Sequence, residues 1–499
     1  MRAYRTTISL SAALAVAITV SGCNEALVPD YNNLTGFPHS AAALQNEFTG
    51  AFSGPRTDLG FFILSAEGFA RSAAYYTPSE ERFVTELTGL QVLDNDNFGA
   101  GIWDNTFNAV KVVDTVQAVI PTLRVNGAAV PTANQQALQG VLETVKAMDY
   151  MYIAISHDTN GVPINAVGQP VTGTLAPILC AKNTWKQIVA MLDTAKADLD
   201  AAGAGTALAI PGSTFSLKMP PGYAALGSTA GSFEAFTLAL RGRAEIEYAY
   251  AIARQAGGTS VPSVSSAGSP DQAQLTAAIA DIQASALYSS SLSAAEANST
   301  NDVGVFHSFS SAPGDQPNPT FGNAAAIYML QGALAQIDTS DLRFKTKFAA
   351  APAKPQSPGS AVATIYALNL NNITINSPIP IVRNLELQFL LARAYLGTNQ
   401  LAKAATTVDA VRTTVGGLPS GLAGVNVTSY PSVRDFLMRE QLVSLVFDGE
   451  GDQIAAIRDL GLISVDLTTW GAGDFQSSME NIPVVERQQR SNHFAPVCN

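Results

Sequence analysis

Apolar residues recur every three or four positions along several stretches of this 499-residue chain. From Leu138 to Ile155, successive apolar positions are separated by 3, 4, 3, 4 and 3 residues, which places them on one face of an α-helix. Similar patterns run over 103–120, 185–199 and 233–255. The segment 184–187 resembles a capping box, and it predicts that a helix begins there. The chain is therefore predicted to be mostly α-helical.

The clearest helix pair is predicted over 384–416. Ala392 is followed by Tyr395 three positions later and by Ala404 twelve positions later, which is the spacing of a tetratricopeptide repeat. The helix pairs near 102–156 and 184–256 are predicted to be degenerate copies. Stacked pairs of this kind form a solenoid, so we expect tetratricopeptide-like helix pairs that form a right-handed superhelical scaffold.

Three long segments interrupt the helical pattern, near 210–232, 260–271 and 289–325. They are rich in Gly, Pro and Ser, and loops of this length inside a compact body are usually functional or disordered. We interpret them as loop-rich insertions that build a surface separate from the scaffold. Residues 365–381 alternate more like short strands and turns.

The N-terminus carries a signal for export. Arg2 and Arg5 precede an apolar run that is too short to span a membrane, and small residues then lead to Cys23. This pattern resembles a bacterial lipobox, which implies a signal peptide over 1–22 and acylation of Cys23, with palmitate as a typical acyl chain. Residues 23–36 are interpreted as an acylated tether and 37–499 as a single domain. The alternative is an ordinary signal peptide with an unmodified cysteine.

Charge and cysteine content restrict the class of partner. With 40 acidic residues against 28 Lys and Arg, the net charge is −12, which argues against nucleic acid or anionic lipid as the main partner. Membrane contact is therefore expected only through the lipid. An exported protein can form disulfides, so Cys180 and Cys498 are a candidate pair. Two separate buried thiols are the alternative.

Motifs for catalysis and metal binding are missing from the sequence. Its four histidines form no close metal-ligand pattern, and we find no nucleophile elbow, P-loop or Rossmann fingerprint. The segment 94–99 is similar to a calcium loop, but Phe98 stands where a ligand oxygen belongs, which favours a polar turn. The acids of 448–452 are interpreted as a solvated turn that ends a helix. No catalytic residue, metal or cofactor is predicted.

A site for a sugar requires aromatic rings on surface loops, close to polar groups. Trp103 and Trp185 lie on helix faces and are therefore interpreted as core. Three loop regions are candidate ligand sites, and for each the alternative is a small core beneath a loop. Their aromatic residues are Tyr75 and Tyr76 in the first, Phe306, Phe309 and Phe321 in the second, and Trp470 in the third. His307, Asp315 and Asn318 are the polar companions of the second region.

Several segments, taken in order, resemble the SusD/RagB family of outer-membrane nutrient-binding lipoproteins. They are Cys23, the helical stretch 103–114, the Asn-Gly-Val-Pro turn at 160–163, the helix pair 386–412, and the Arg-Glu…Phe-Asp-Gly segment 439–449. Ser444 and Asp448 stand where this family often has Glu, so the chain is identified as a divergent member.

The resemblance implies a non-enzymatic protein of the cell outer membrane, lipid-anchored and surface-exposed. Such a protein captures a glycan or another nutrient polymer and delivers it to a SusC-like TonB-dependent transporter. Two alternatives come from other classes of protein. One is a tetratricopeptide-type scaffold lipoprotein in envelope assembly, and the long insertions argue against it. The other is an extracytoplasmic hydrolase, which no motif supports.

Overall fold

The described part of the chain covers most of the sequence. The computed structural model describes residues 41–88, 91–93, 100–164, 175–256, 269–355, 363–449, 451–462, 479–490 and 496–498. The predicted signal peptide, Cys23, the tether, the polar turn at 94–99 and Trp470 lie outside these residues.

Helices dominate the described residues, as the apolar periodicity predicts. They are α1 (Ala41–Ser53), α2 (Leu59–Phe69), α3 (Arg82–Thr85), α4 (Ala100–Val119), α5 (Thr132–His157), α6 (Ala181–Ala202), α7 (Ala230–Ala256), α8 (Gln272–Ala284), α9 (Gln331–Leu334), α10 (Leu342–Lys347), α11 (Asn384–Gly397), α12 (Leu401–Ala410), α13 (Tyr430–Leu445), α14 (Asp452–Asp459) and α15 (Val484–Gln489).

The long helices pack in a sequential array. Helix α4 packs against α5, α5 against α6, α6 against α7 and α7 against α8. Helix α8 then contacts α11, which pairs with α12, and α12 packs against α13. Helix α5 packs between its neighbours through its periodic apolar residues, and all six of them between Leu138 and Ile155 are buried. Within the described residues, no helix combines the length and the apolar character that a membrane span requires.

One helix start differs from the sequence prediction, and one predicted helix pair is present over its expected range. Helix α6 begins at Ala181 rather than at Thr184, so the capping-box prediction was wrong. Thr184 lies inside the first turn, where its hydroxyl donates to the Leu179 carbonyl at 3.1 Å. The predicted pair over 384–416 is present as α11 and α12, and the second helix continues as a π-helical turn over Val411–Val415.

Short strands lie outside the helix array. They are β1 (Ala73–Tyr75), β2 (Arg124–Val125), β3 (Ala128–Ala129), β4 (Val162–Pro163), β5 (Ile178–Leu179), β6 (Gly304–His307), β7 (Ile327–Met329), β8 (Phe348–Pro355), β9 (Ala363–Leu368) and β10 (Ile379–Arg383). Strands β1, β7, β9 and β8 form an antiparallel four-stranded sheet in that order. Strand β6 lies inside the predicted insertion 289–325 and pairs with β10. Because β10 directly precedes α11, this pairing connects the insertion to the beginning of that helix.

The core has one large part among the helices and a smaller part beneath the four-stranded sheet. Buried arginines bridge elements that are distant in sequence, and each pairs with carboxylates. The pairs are Arg243 with Glu386 and Asp452, Arg254 with Asp158, Arg343 with Asp341 and Glu440, Arg383 with Asp302 and Asp448, and Arg393 with Glu247 and Asp459.

The prediction of a solvated turn was wrong for Asp448 and Asp452, while Glu450 lies outside the described residues. Asp448 is buried, and it forms ion pairs with Lys347 and Arg383. Asp452 is also buried and pairs with Arg243. A buried cation without a partner is costly, so Lys347, Arg383 and Arg243 each require a carboxylate nearby. Asp448 and Asp452 provide these carboxylates, which explains why they are buried.

Cys180 and Cys498 form a disulfide, with their Cα atoms 5.4 Å apart. The backbone beside them is also paired, because Val497 donates to the Ile178 carbonyl at 2.8 Å and accepts from the Cys180 N–H at 3.1 Å. The bond therefore joins residue 498 to the beginning of α6, across 318 positions of sequence.

Candidate functional site

A cleft of about 410 Å³ opens between α1, the loop 216–223 and the segment that follows β6. Its volume lies in the range typical of small-molecule sites, about 300–1,000 Å³. Residues of three separate chain segments line the cleft: Gln45, Thr49, Phe52, Ser53, Arg56, Lys218, Met219, Pro220, Pro221, Tyr223, Phe306, His307, Ser308, Gly314 and Asp315.

Gln45 on α1 fixes the loop that forms one wall. Its side-chain Nε2 donates to the Lys218 carbonyl at 3.0 Å, and its Oε1 accepts from the Lys218 N–H at 2.8 Å. One amide side chain therefore satisfies both backbone groups of Lys218. Since Met219, Pro220 and Pro221 follow directly, this clamp sets the position of the apolar wall.

The other end of the same loop is fixed by a close backbone approach. A Cβ atom added at Gly222 would lie 1.9 Å from the carbonyl oxygen of Phe306, so only glycine fits there. The next residue, Tyr223, packs its ring edge-on against Phe52 of α1, with centroids 4.9 Å apart. The loop is therefore seated against both β6 and α1.

Arg56 contributes a polar part of the cleft lining. Its Nη2 donates to Asp315 Oδ1 at 2.5 Å, and its guanidinium lies 5.0 Å from the ring centroid of Phe309. Burial alone would raise the pKa of Asp315, but hydrogen bonds from Ser310 and Arg56 outweigh burial and hold that pKa below its ordinary value. Asp315 is therefore ionised and neutralises the charge of Arg56.

His307 lies at the buried side of the cleft. Only 1% of its surface is exposed, and its Nε2 shares a 2.8 Å hydrogen bond with the Tyr152 hydroxyl on α5. Burial, assisted by the positive charge of Arg56, lowers the pKa of His307 to about 3. The imidazole is therefore neutral at physiological pH.

The two walls suit a ligand with apolar faces and polar edges. Met219, Pro220 and Pro221 offer a surface of C–H groups and sulfur, while Gln45, Ser53 and Arg56 offer polar groups. The described residues contain no cluster of three or more His, Cys, Asp or Glu side chains that could hold a metal ion. Apolar contact and hydrogen bonds are the interactions that these two walls can offer to a ligand.

The second predicted aromatic region contributes to this cleft only in part. Phe306 lines the cleft but is only 9% exposed, and Phe309 is buried behind Arg56. Phe321 is 36% exposed, but it is not among the cleft-lining residues. Of the three polar companions, His307 and Asp315 line the cleft. Asn318 instead borders a smaller cavity, which Lys347 and Asp448 also line.

The first predicted region lies on the sheet rather than in the cleft. Tyr75 is on β1, where its hydroxyl donates to Asn323 Oδ1 at 2.9 Å and its ring packs edge-on against Phe83. Tyr76 follows β1 and packs edge-on against Tyr328, with ring centroids 5.5 Å apart. Both tyrosines are half-buried, so each presents part of its ring to solvent.

Sequence reasoning did not single out Gln45, Arg56 or Lys218 as site residues. The Met219-Pro220-Pro221-Gly222 run was the available signal, because two prolines before a glycine indicate a rigid turn inside the predicted insertion 210–232. Nothing local marks Gln45 or Arg56, whose partners lie 173 and 259 positions away.

Comparison with known proteins gives matches at the level of structure. No protein-family model and no curated protein matches the sequence. A SusD superfamily protein from Parabacteroides distasonis aligns over 91% of this chain and 97% of its own, with a TM-score of 0.62 and 14% identity. Surface glycan-binding protein A from Bacteroides uniformis aligns over 92% and 99%, with a TM-score of 0.57 and 14% identity.

A third structure, a SusD-like carbohydrate-binding protein from Bacteroides vulgatus, aligns over 84% of this chain and 83% of its own. Its TM-score is 0.53 and its identity is 12%. At such identities the likeness concerns the fold, and in all three comparisons it extends over more than four fifths of each chain.

Proposed function

This chain has the fold of the SusD superfamily, and on that premise we propose that it is a non-catalytic cell-surface protein that binds a glycan or another nutrient polymer. The observation that carries the proposal is the cleft between α1, the loop 216–223 and the segment after β6. Its Met-Pro-Pro wall and its polar wall match the two kinds of surface on a sugar ring, the C–H faces and the hydroxyl edges. The likeness of the fold to a surface glycan-binding protein and to a SusD-like carbohydrate-binding protein supports the same assignment.

The proposal includes the location of the protein and its partner. We propose that Cys23 is acylated after cleavage of residues 1–22, which anchors the body at the outer membrane. A SusC-like TonB-dependent transporter is the proposed recipient of the ligand. A tether at the membrane raises the effective concentration of the binding domain next to that transporter. The sequential helix pairs would form the right-handed superhelical scaffold that carries the cleft.

Binding is tested with the purified domain from residue 37 onward against neutral and acidic polysaccharides, by affinity electrophoresis and calorimetry. We expect at least one polysaccharide to bind, and we expect Met219→Asp to weaken that binding at least tenfold because it charges the apolar wall. Lys186→Asp on α6 is a control outside the cleft lining and should bind like the wild type. Failure of every polysaccharide to bind would refute the proposal and favour the scaffold alternative.

Anchoring and partnership need a separate experiment in cells. Full-length protein should incorporate labelled palmitate, and Cys23→Ser should not. Affinity purification of the full chain from solubilised outer membranes should recover a TonB-dependent transporter. Labelling that persists in Cys23→Ser, or purification without such a transporter, would contradict this part of the proposal.

A further inference from the structure

Two buried nitrogen atoms at the cleft have no hydrogen-bond partner among the described residues. They are Nδ1 of His307 and Nε of Arg56. Buried polar atoms in folded proteins are nearly always hydrogen-bonded, and an unsatisfied one destabilises the fold. The other polar ends of the same two side chains are occupied, by Tyr152 and by Asp315. These two nitrogens are therefore the buried polar atoms of His307 and Arg56 that still lack a hydrogen-bond partner.

The chemistry of these atoms selects a hydroxyl group. The neutral imidazole of His307 carries one proton, so Nδ1 is a donor if the Tyr152 hydroxyl donates to Nε2, and an acceptor if Nε2 donates to that hydroxyl. Nε of Arg56 can only donate. A hydroxyl both donates and accepts, so it can satisfy either form of His307 while accepting from Arg56.

A carboxylate fits less well in the same place. It cannot donate to Nδ1 when that nitrogen is an acceptor. It would also compete with Asp315, which already neutralises Arg56 at 2.5 Å. The unpaired atoms thus favour an uncharged, hydroxyl-bearing group over an acidic one.

We propose that His307 Nδ1 and Arg56 Nε form a two-point hydrogen-bonding floor that holds a hydroxyl group of one sugar unit. The C–H face of that sugar would lie against Met219 and Pro220. This inference rests on the proposed function and adds the specificity-determining atoms and the preferred ligand chemistry. It predicts that neutral oligosaccharides bind and that uronic-acid oligosaccharides of equal length bind more weakly.

The four histidines of the chain make a direct spectroscopic test feasible. His157 is a matched control, because it is also buried and neutral, and it also has one ring nitrogen without a hydrogen-bond partner among the described residues, but it does not line the cleft. In protein with ¹⁵N-labelled histidine, titration with malto-, cello- and xylo-oligosaccharides should shift the His307 Nδ1 resonance and leave that of His157 in place. An oligosaccharide that binds without moving the His307 resonance overturns the inference.

Substitutions provide a second measurement. His307→Phe keeps the ring shape and removes both nitrogens, and Arg56→Lys keeps the charge beside Asp315 and removes Nε. Each should weaken oligosaccharide binding at least tenfold, whereas His157→Phe should not. Wild-type affinity in both cleft variants would overturn the inference while leaving the proposed function intact. If no oligosaccharide or polysaccharide binds the wild-type protein, the proposed function fails and this inference fails with it.

Discussion

Asp448 compensates two buried cations at once, so its charge is expected to be essential for stability. Its Oδ2 accepts from Arg383 Nη2 at 2.5 Å and from Lys347 Nζ at 2.6 Å, and its side chain is 10% exposed. Asp448→Asn keeps the shape of the side chain and removes the charge. Arg383 retains an ion pair with Asp302 at 3.1 Å, whereas the hydrogen bonds left to Lys347 are those to the carbonyls of residues 444 and 446. Lys347 therefore bears most of the loss.

Removing one partner of a buried ion pair costs about 3–5 kcal/mol, and the remaining partner of Arg383 places Asp448→Asn near the lower end, about 3 kcal/mol. The loss should depend on pH. Burial lowers the pKa of Lys347 to about 8, against an ordinary value of 10.5, although Asp448 acts in the opposite direction. Without Asp448 that pKa falls further, so Lys347 loses its proton more readily. The deficit should therefore be larger at pH 6 than at pH 9.

Urea denaturation followed by tryptophan fluorescence measures this prediction at both pH values. Asp435→Asn is the matched control, because Asp435 pairs with Arg434 on an exposed surface, with 57% of its side chain accessible. Exposed ion pairs contribute little, so the control should unfold at the wild-type urea concentration. The reasoning is refuted if Asp448→Asn also unfolds at that concentration at pH 6.

Three further predictions concern stability and the cleft. Burial raises the pKa of Glu67 from 4.5 to about 7. The protonated carboxyl therefore stabilises the fold fully below pH 4.5, and this stabilisation is lost as the pH rises through 7. Because Gln cannot ionise, the free energy of unfolding of Glu67→Gln relative to wild type should increase by about 3 kcal/mol between pH 5 and pH 8 in urea titrations. Replacing Cys180 and Cys498 by Ser should lower stability by about 2–5 kcal/mol, and reductant should do the same to the wild type in calorimetry. Gly222→Val should displace the loop 216–223 and weaken oligosaccharide binding at least tenfold, whereas Gly322→Ala, where an added Cβ meets nothing within 4 Å, should bind normally.

The helical part of this fold was predictable because its signal is local. Apolar spacing located α4 to α7 and the pair α11 and α12 to within a few residues, since a helix needs only its own periodicity to be recognised. Thr184 shows where local reasoning fails. Residues 184–187 have the residue types of a capping box, but the disulfide at Cys180 and the pairing of β5 place the start of α6 three residues earlier.

The cleft was less predictable because its parts come together only in the folded chain. Phe306, His307 and Asp315 were named for their loop, and they do line the cleft. Phe306 and Phe309, which were named as candidate ligand contacts, are both buried: Phe306 exposes little surface to the cleft, and the ring of Phe309 packs against the guanidinium of Arg56. Gln45 and Arg56 could not be found from spacing, because their roles depend on contacts with segments that are distant in sequence.

The buried arginines also bear on how the helices find their order. Small and aliphatic residues dominate the helix faces, and such faces could slide by one turn, or exchange neighbours, with little loss of apolar contact. Arg243 and Arg393 each join α7, α11 and α14 through carboxylates, and Arg343 joins α10 to α13. A shifted stack would leave these charges uncompensated, at a cost of several kcal/mol for each buried ion. We therefore expect the ion pairs to fix the order and register of the helices. A wrong arrangement would be disfavoured by buried charges without partners rather than by poor packing.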